Sequence, residues 1–360
     1  MEIVDVAIVG GGPAGSTCAA FCAEAGLRTL VLEREKFPRE KVCGDCINPA
    51  CWPILERLDV TEAIRKSPRC ALEAVEFIAI NSKKLRVELP RGDQSEIAIK
   101  RSIFDQLLLN RARTLGAEVR EEATVIGLDR TSAGYWKIDI VQETLLARVV
   151  VGADGRNSNV ARLRNLLPRL ERERVALQAH IPLPRNFGDR IVLQFLPEGY
   201  SGQAPVNDRE LNLCLVGTPP TISSLRTWAE RNFNLAPDQP WRTITPLTRD
   251  PVPVAHKDLF FIGDAARVVE PFTGEGIYYA LRSGELAANA ITKIIRGEDQ
   301  QSIAREFARA HRAMYRGRLW INEVARAAVL SPKIASGLLP IAKISPAVLR
   351  LLTGRIVRRR

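Results

Sequence analysis

Residues 3–33 read IVDVAIVGGGPAGSTCAAFCAEAGLRTLVLE, and this stretch decides the fold. The run 3–9 is apolar and β-branched, broken only by Asp5, as in a strand buried on both faces. Gly10, Gly12 and Gly15 then stand at G-x-G-x-x-G spacing, Pro13 and Ala14 open a helical stretch over 13–26, and 28–32 form a second strand. Gly10 permits the tight turn, Gly12 lets a pyrophosphate approach the backbone, and Gly15 lets helix and strand pack closely. The helix start offers free N–H groups and the positive end of a dipole to phosphates. Glu33 follows Gly15 by 18 residues, where a carboxylate accepts hydrogen bonds from ribose hydroxyls, and Arg34 lies beside it. The unit predicts a dinucleotide site but does not choose between NAD and FAD.

Two later stretches make that choice. Residues 148–162 (RVVVGADGRNSNVAR) predict a strand running into Gly152-Ala153-Asp154-Gly155. Residues 259–288 (LFFIGDAARVVEPFTGEGIYYALRSGELAA) predict a strand, then Gly263-Asp264, a loop with Pro271, and Gly274-x-Gly276 opening a long helix. Around an extended flavin nucleotide, Asp264 at a strand end is placed for a ribityl hydroxyl. The N–H groups about Gly274, Gly276 and Ile277 are placed for the pyrimidine carbonyl, where a helix start stabilises the negative charge of reduced flavin. A helix cap or Asx turn is the plainer role for Asp154 and Asp264.

These motifs, in this order, resemble those of the FAD-dependent oxidoreductases of the p-hydroxybenzoate hydroxylase superfamily, over roughly residues 1–330. That family also carries an arginine before a Phe-Asp-x-x-Leu helix, matched by Arg101-Ser102-Ile103-Phe104-Asp105-Gln106-Leu107. The resemblance implies that Arg101 reaches the FAD and that Asp105 anchors the helix. Within the superfamily the chain looks most like the geranylgeranyl reductases, on GEGIYYALRSGELAA (274–288), Asn159-Val160-Ala161-Arg162 and PREKVCG (38–44). The last stretch implies that Cys43 lies near flavin and substrate. Two departures stand out: Cys43-Gly44-Asp45-Cys46 replaces the family's Cys-Gly-Gly, and only Phe195-Leu196-Pro197 echoes the tunnel motif of archaeal members. The Trp-x-Trp-x-Ile-Pro signature of the related flavin halogenases is missing, which argues against halogenation.

The expected fold is α/β: a doubly wound, Rossmann-like FAD-binding domain with an inserted mixed β-sheet substrate domain and a C-terminal helical tail. The FAD-binding domain is assigned to 1–72, 101–172 and 246–300, the substrate domain to 73–100 and 173–245, and basic amphipathic helices to 301–360. The substrate is expected between the sheet and the flavin, with Phe195 and Tyr200 as its candidate contacts. Cys43 and Asp45 are the candidate catalytic groups, Asp45 as a proton donor or orienting acid. With one dinucleotide fingerprint, NAD(P)H or another electron donor has to bind transiently. Cys43 and Cys46 form a lone C-x-x-C, in which Cys46 is read as packing beside the flavin in preference to a redox dithiol or half a metal site, and no metal is expected. His180, His256 and His311 are scattered and read as structural.

The chain has 360 residues, 46% of them hydrophobic, and a net charge of +11. Disorder is excluded by that composition, and no run is apolar enough for a membrane helix. Seven cysteines without an export signal point to a reducing cytoplasm. Residues 301–360 hold 13 Lys+Arg against two acids, so the rest of the chain is neutral and no nucleic-acid-binding surface is expected. The tail is read either as a helical cap or as a peripheral membrane contact. Three functional readings follow. The first is a reductase whose reduced flavin delivers hydride to a C=C of a hydrophobic, isoprenoid-like substrate. The second is a monooxygenase acting on an aromatic or polyketide-like substrate through a flavin C4a-hydroperoxide. The third is a non-catalytic, flavin-loaded membrane or partner-binding protein.

Overall fold

The computed structural model describes residues 3–168, 174–256, 258–270 and 274–317. Pro271 and the tail beyond Gly317 lie outside the described residues, so their expected roles have no structural counterpart here.

An eight-stranded sheet carries the glycine motifs. Its main path runs Ala255–His256, Leu259–Phe261, Thr144–Gly152, Ile3–Val9, Thr29–Leu32, Glu118–Arg120. Ile3–Val9 pairs in parallel with Thr144–Gly152 on one side and Thr29–Leu32 on the other. That central place explains the unbroken apolar run, since Val6, Ala7 and Ile8 are fully buried. Alternation still sorts them. Val6 and Ile8 enter the core beneath the helices, with Cys18, Leu281 and Ile291, while Ala7 and Val9 enter the core of Leu30, Trp136 and Phe261. A meander of Val125–Arg130 and Trp136–Ile140 pairs onto Thr144–Gly152, so the second glycine motif ends a strand longer than its apolar residues foretell.

The helix Pro13–Glu24 lies against the helix Gly276–Ile295. Small residues permit the approach, because a Cβ on Gly284 would stand 2.4 Å from the Ala14 carbonyl oxygen. This crossing brings the first and third glycine motifs to one place.

A seven-stranded sheet runs Arg242–Ile244, Val175–Pro182, Glu210–Gly217, Gly199–Pro205, Arg190–Leu196, Ala74–Ile78, Lys84–Glu88. It is mixed, with one parallel pairing, between Arg190–Leu196 and Ala74–Ile78. The helix Ile222–Asn232 covers one face through Leu225 and Ala229. The other face turns Ile191, Leu193, Tyr200 and Val216 toward the glycine motifs. A three-stranded sheet of Cys46–Ile47, Ile97–Ala98 and Cys70–Ala71 adjoins them. The α/β, Rossmann-like fold with a second, mixed sheet is the one expected from the sequence.

Candidate active site

One cavity of about 960 Å³ runs from the glycine motifs to the seven-stranded sheet, at the upper end of the usual range for ligand sites. Gly10, Gly12, Pro13, Ala14, Glu33, Arg34, Cys43, Arg101, Asp154, Gly263, Asp264, Gly274, Gly276, Ile277 and Tyr200 all line it.

The glycines divide by what surrounds them. A Cβ on Gly10 (φ +106°) would stand 2.5 Å from the Ala153 carbonyl oxygen, and one on Gly15 would stand 1.9 Å from the Gly10 carbonyl oxygen. Those two are glycines because the protein packs on them. Gly12 differs: its Cβ would meet only an Arg39 Nη at 3.4 Å. Protein packing does not require a glycine there, whereas close approach of a ligand does. No side chain caps the helix Pro13–Glu24 that Gly12 opens, nor the helix Gly276–Ile295. Free N–H groups at both helix starts therefore have no side-chain acceptor.

The carboxylates are partly occupied by the protein. Glu33 accepts the Gly11 N–H at 2.7 Å and the Glu35 N–H at 2.9 Å. Asp154 caps the helix Asn159–Leu163 by accepting the N–H groups of Asn159 and Val160, and burial raises its pKa. Its other oxygen has no partner. Asp264 meets Arg156 at 3.3 Å. Arg39 Nη1 and Arg156 Nε are likewise buried without an acceptor. Orphaned donors, an open glycine and two uncapped helix starts on one elongated cavity fit a dinucleotide such as FAD.

Arg101 makes two bonds to Asp105, of 2.7 and 2.8 Å, inside the protein. Burial works against its charge, but the Asp105 carboxylate holds it firmly protonated. Cys43 sits where the glycine motifs meet the second sheet. Burial raises its thiol pKa, while the Arg101 guanidinium and the Asp45 backbone N–H beside the sulfur work the other way. Its carbonyl accepts from Asn212 Nδ2 at 2.8 Å, Gln178 Nε2 at 3.0 Å and Cys214 Sγ at 3.4 Å. Gln178 and Cys214 are directly paired across two strands, and Asn212 faces His180 in the same register. Four polar side chains of one sheet face thus hold the loop.

Two expectations are corrected. Asp45 does not line the cavity: it is fully buried at φ +58°, with its carboxylate 2.8 Å from His180 Nε2. Burial raises its pKa and His180 opposes that shift, so Asp45 fixes the loop rather than meeting substrate. Phe195 is packed in the core with Val75, Phe77 and Leu85, off the cavity wall, while its cross-strand partner Tyr200 lines the cavity. His180, read as structural, is the residue that holds Asp45. His311 is structural, packed against Phe307 and Tyr315 and pushed down to about 4 by burial. Sequence reading missed Gln178 and Asn212, which are linked to Cys43 only through the second sheet. It also passed over Arg39 and Lys41, although both stand in the quoted PREKVCG stretch. Among the described residues no cluster of His, Cys, Asp and Glu could hold a metal ion.

Residues 3–178 match the family model for the FAD binding domain, which with this cavity makes the chain an FAD-dependent oxidoreductase. The chain is 29% identical to digeranylgeranylglycerophospholipid reductase 1 of Methanopyrus kandleri, over 82% of each chain. It is 28% identical to menaquinone reductase of Mycolicibacterium smegmatis, over 80% of this chain and 76% of that one. It is also 28% identical to conditioned medium factor receptor 1 of Dictyostelium discoideum, over 84% of this chain, and spans just under two thirds (66%) of that protein. The flavin-dependent brominase Bmp2 shares the fold, with a TM-score of 0.80 at 20% identity over 98% of this chain and 94% of that one.

Proposed function

We propose that the protein is a reductase that adds hydrogen across a C=C of a hydrophobic, isoprenoid-like substrate. The observation that carries this reading is the place of Cys43, a protonated thiol on the cavity wall between the dinucleotide fingerprint and an apolar sheet face. Bound FAD, once reduced by NAD(P)H or another donor, supplies the hydride for one alkene carbon. Ile191, Leu193, Tyr200 and Val216 offer the substrate a mostly apolar wall. The raised pKa keeps Cys43 as S–H at neutral pH, ready to give its proton to the neighbouring carbon. The thiolate left behind is met by Arg101 and the Asp45 N–H, and water returns the proton. Gln178, Asn212 and Cys214 hold the Cys43 carbonyl, and His180 holds Asp45 on the same loop. The likeness to a digeranylgeranylglycerophospholipid reductase and a menaquinone reductase supports this reading.

Reduction under anaerobic conditions in deuterated water tests the assignment. At least one solvent-derived deuterium per saturated bond is expected in the product, two where the flavin N5 hydrogen also comes from water, with turnover slowed about 10²- to 10⁴-fold in Cys43→Ser. Full activity of Cys43→Ser would remove the thiol from the mechanism.

The same reading includes contact with a membrane surface. On the helix Gln300–Met314 and the turn after it, Arg305, Arg309, Arg312 and Arg316 recur at helical spacing on the exposed side, opposite the buried Ile303, Phe307 and His311. None of the four arginines has an ion-pair partner among the described residues. No described helix is long and apolar enough to cross a membrane.

A further inference from the structure

The strands Gly199–Pro205 and Glu210–Gly217 of the second sheet carry three glycines, and the three are not alike. A Cβ on Gly199 would stand 2.1 Å from the Val216 carbonyl oxygen, and one on Gly217 would stand 2.7 Å from Leu225 Cδ1. Those two are glycines because the sheet and its covering helix pack on them. Gly202 has no such reason. It stands in the middle of its strand, paired with Leu193 on one side and Cys214 on the other. A Cβ there would meet only Leu193 Cδ2 at 3.7 Å and Cys214 Cβ at 4.0 Å, both ordinary contacts. Glycine loosens a strand relative to alanine, and one that the fold does not require marks a place where a ligand comes close.

The open space lies on the cavity side. Gly202 is half-buried where every other residue of Gly199–Pro205 is buried. It lines the cavity with Tyr200 and Ala204, which stand two residues away on the same face. The two strands that flank it run about 10 Å apart, twice the strand spacing. Between Leu193 on one and Cys214 on the other, the missing side chain leaves a slot one strand wide. Tyr200 walls one end, and Ala204 keeps the floor low at the other. The slot is also fixed relative to Cys43, because its Cys214 wall reaches the Cys43 carbonyl at 3.4 Å.

We propose that Gly202 is a specificity-determining residue whose missing side chain seats a single polyprenyl chain of the substrate beside Cys43. The inference deepens the reading of the protein as a reductase of an isoprenoid-like substrate and rests on it. A polyprenyl chain is narrow and apolar along its whole length, so it lies in the slot with Leu193 and Cys214 in contact on its two sides. Any side chain at position 202 competes with it for the same space.

The experiment measures binding of tritiated geranylgeraniol to the FAD-loaded protein, with FAD content and Tm recorded for each variant. Gly202→Leu fills the slot and is expected to bind geranylgeraniol roughly 5- to 150-fold more weakly, with FAD content unchanged. Gly202→Ala adds only a methyl group and is expected to lie between, while its Tm holds or rises by about 1–3 °C. Leu193→Ala in the Gly202→Leu background returns space at the nearest wall and is expected to recover most of the lost affinity. Absence of that recovery would assign the loss to folding and overturn the slot. Wild-type affinity in Gly202→Leu overturns the proposal and leaves the reductase reading standing. A parallel loss of FAD from Gly202→Leu also overturns it, since the residue would then face the cofactor. A wild type that binds no geranylgeraniol, and whose reduced flavin is not reoxidised by it without oxygen, overturns the reductase reading and this proposal with it.

Discussion

Gly12 and Gly15 stand three residues apart in one motif, yet substitution should harm the protein in two different ways. Gly12 has φ −71° and ψ −176°, a conformation open to any residue. The nearest atom to an added Cβ is the end of the flexible Arg39 side chain at 3.4 Å. Gly12→Val should therefore cost the apoprotein only about 1 kcal/mol, mostly as a poorer helix cap, and lower its Tm by a few degrees. The valine side chain points instead into the space a diphosphate needs. An overpacking cost of about 1–3 kcal/mol in the complex corresponds to roughly 5- to 150-fold weaker FAD binding. Gly15→Val places its Cβ 1.9 Å from the Gly10 carbonyl oxygen, where only backbone movement relieves the clash. It should destabilise the apoprotein by several kcal/mol and lower the yield of folded chain. Thermal unfolding of both apoproteins and flavin-fluorescence titration of Gly12→Val check the pair. The reasoning is refuted if Gly12→Val binds FAD with wild-type affinity, or if Gly15→Val folds as stably as the wild type.

Asp264→Ala should weaken FAD by about 1–2 kcal/mol, read in the same titration, because it removes an acceptor and leaves Arg156 without its carboxylate. Replacing His180 by Ala leaves the buried Asp45 carboxylate without its hydrogen-bond partner. A stability loss of about 3–5 kcal/mol by denaturant unfolding is expected, and recovery in the double variant with Asp45→Asn would show that the uncompensated charge is the cause. In Asn212→Leu the Cys43 carbonyl loses its shortest side-chain donor, so kcat should fall about tenfold with little change in FAD affinity; equal loss of both would make the residue a general fold determinant. Reversing the charge of Arg305, Arg309, Arg312 and Arg316 together should abolish co-flotation with anionic phosphatidylglycerol vesicles without affecting FAD content, and persistent flotation would exclude that face as the contact.

Much of the site was legible because its residues are neighbours in sequence or share a motif with a physical reason. Gly10, Gly12 and Gly15 follow from turn, approach and packing, and Asp264 and Gly276 follow from a strand end and a helix start. The part that was not legible is built across the sheet. Gln178 and Asn212 are ordinary polar residues in alternating strands, and nothing local reveals that register brings both to the Cys43 carbonyl. Asp45 was read as catalytic from its nearness in sequence to Cys43, but its φ of +58° turns it from the cavity to His180, 135 residues away. Phe195 failed for a related reason. Alternation told which residues share its face, but not which part of that face the cavity reaches.

The claim at the centre of this account is that the flavin held in this cavity passes its electrons to a carbon–carbon double bond. The direct measurement is to reduce the bound flavin without oxygen, mix it with a polyprenyl lipid and follow the oxidised-flavin absorbance. The account predicts that the absorbance returns in step with a lipid heavier by two hydrogens per bond reduced, with no need for oxygen. A flavin that stays reduced until oxygen is admitted, and then yields a product carrying one new oxygen atom, would contradict it.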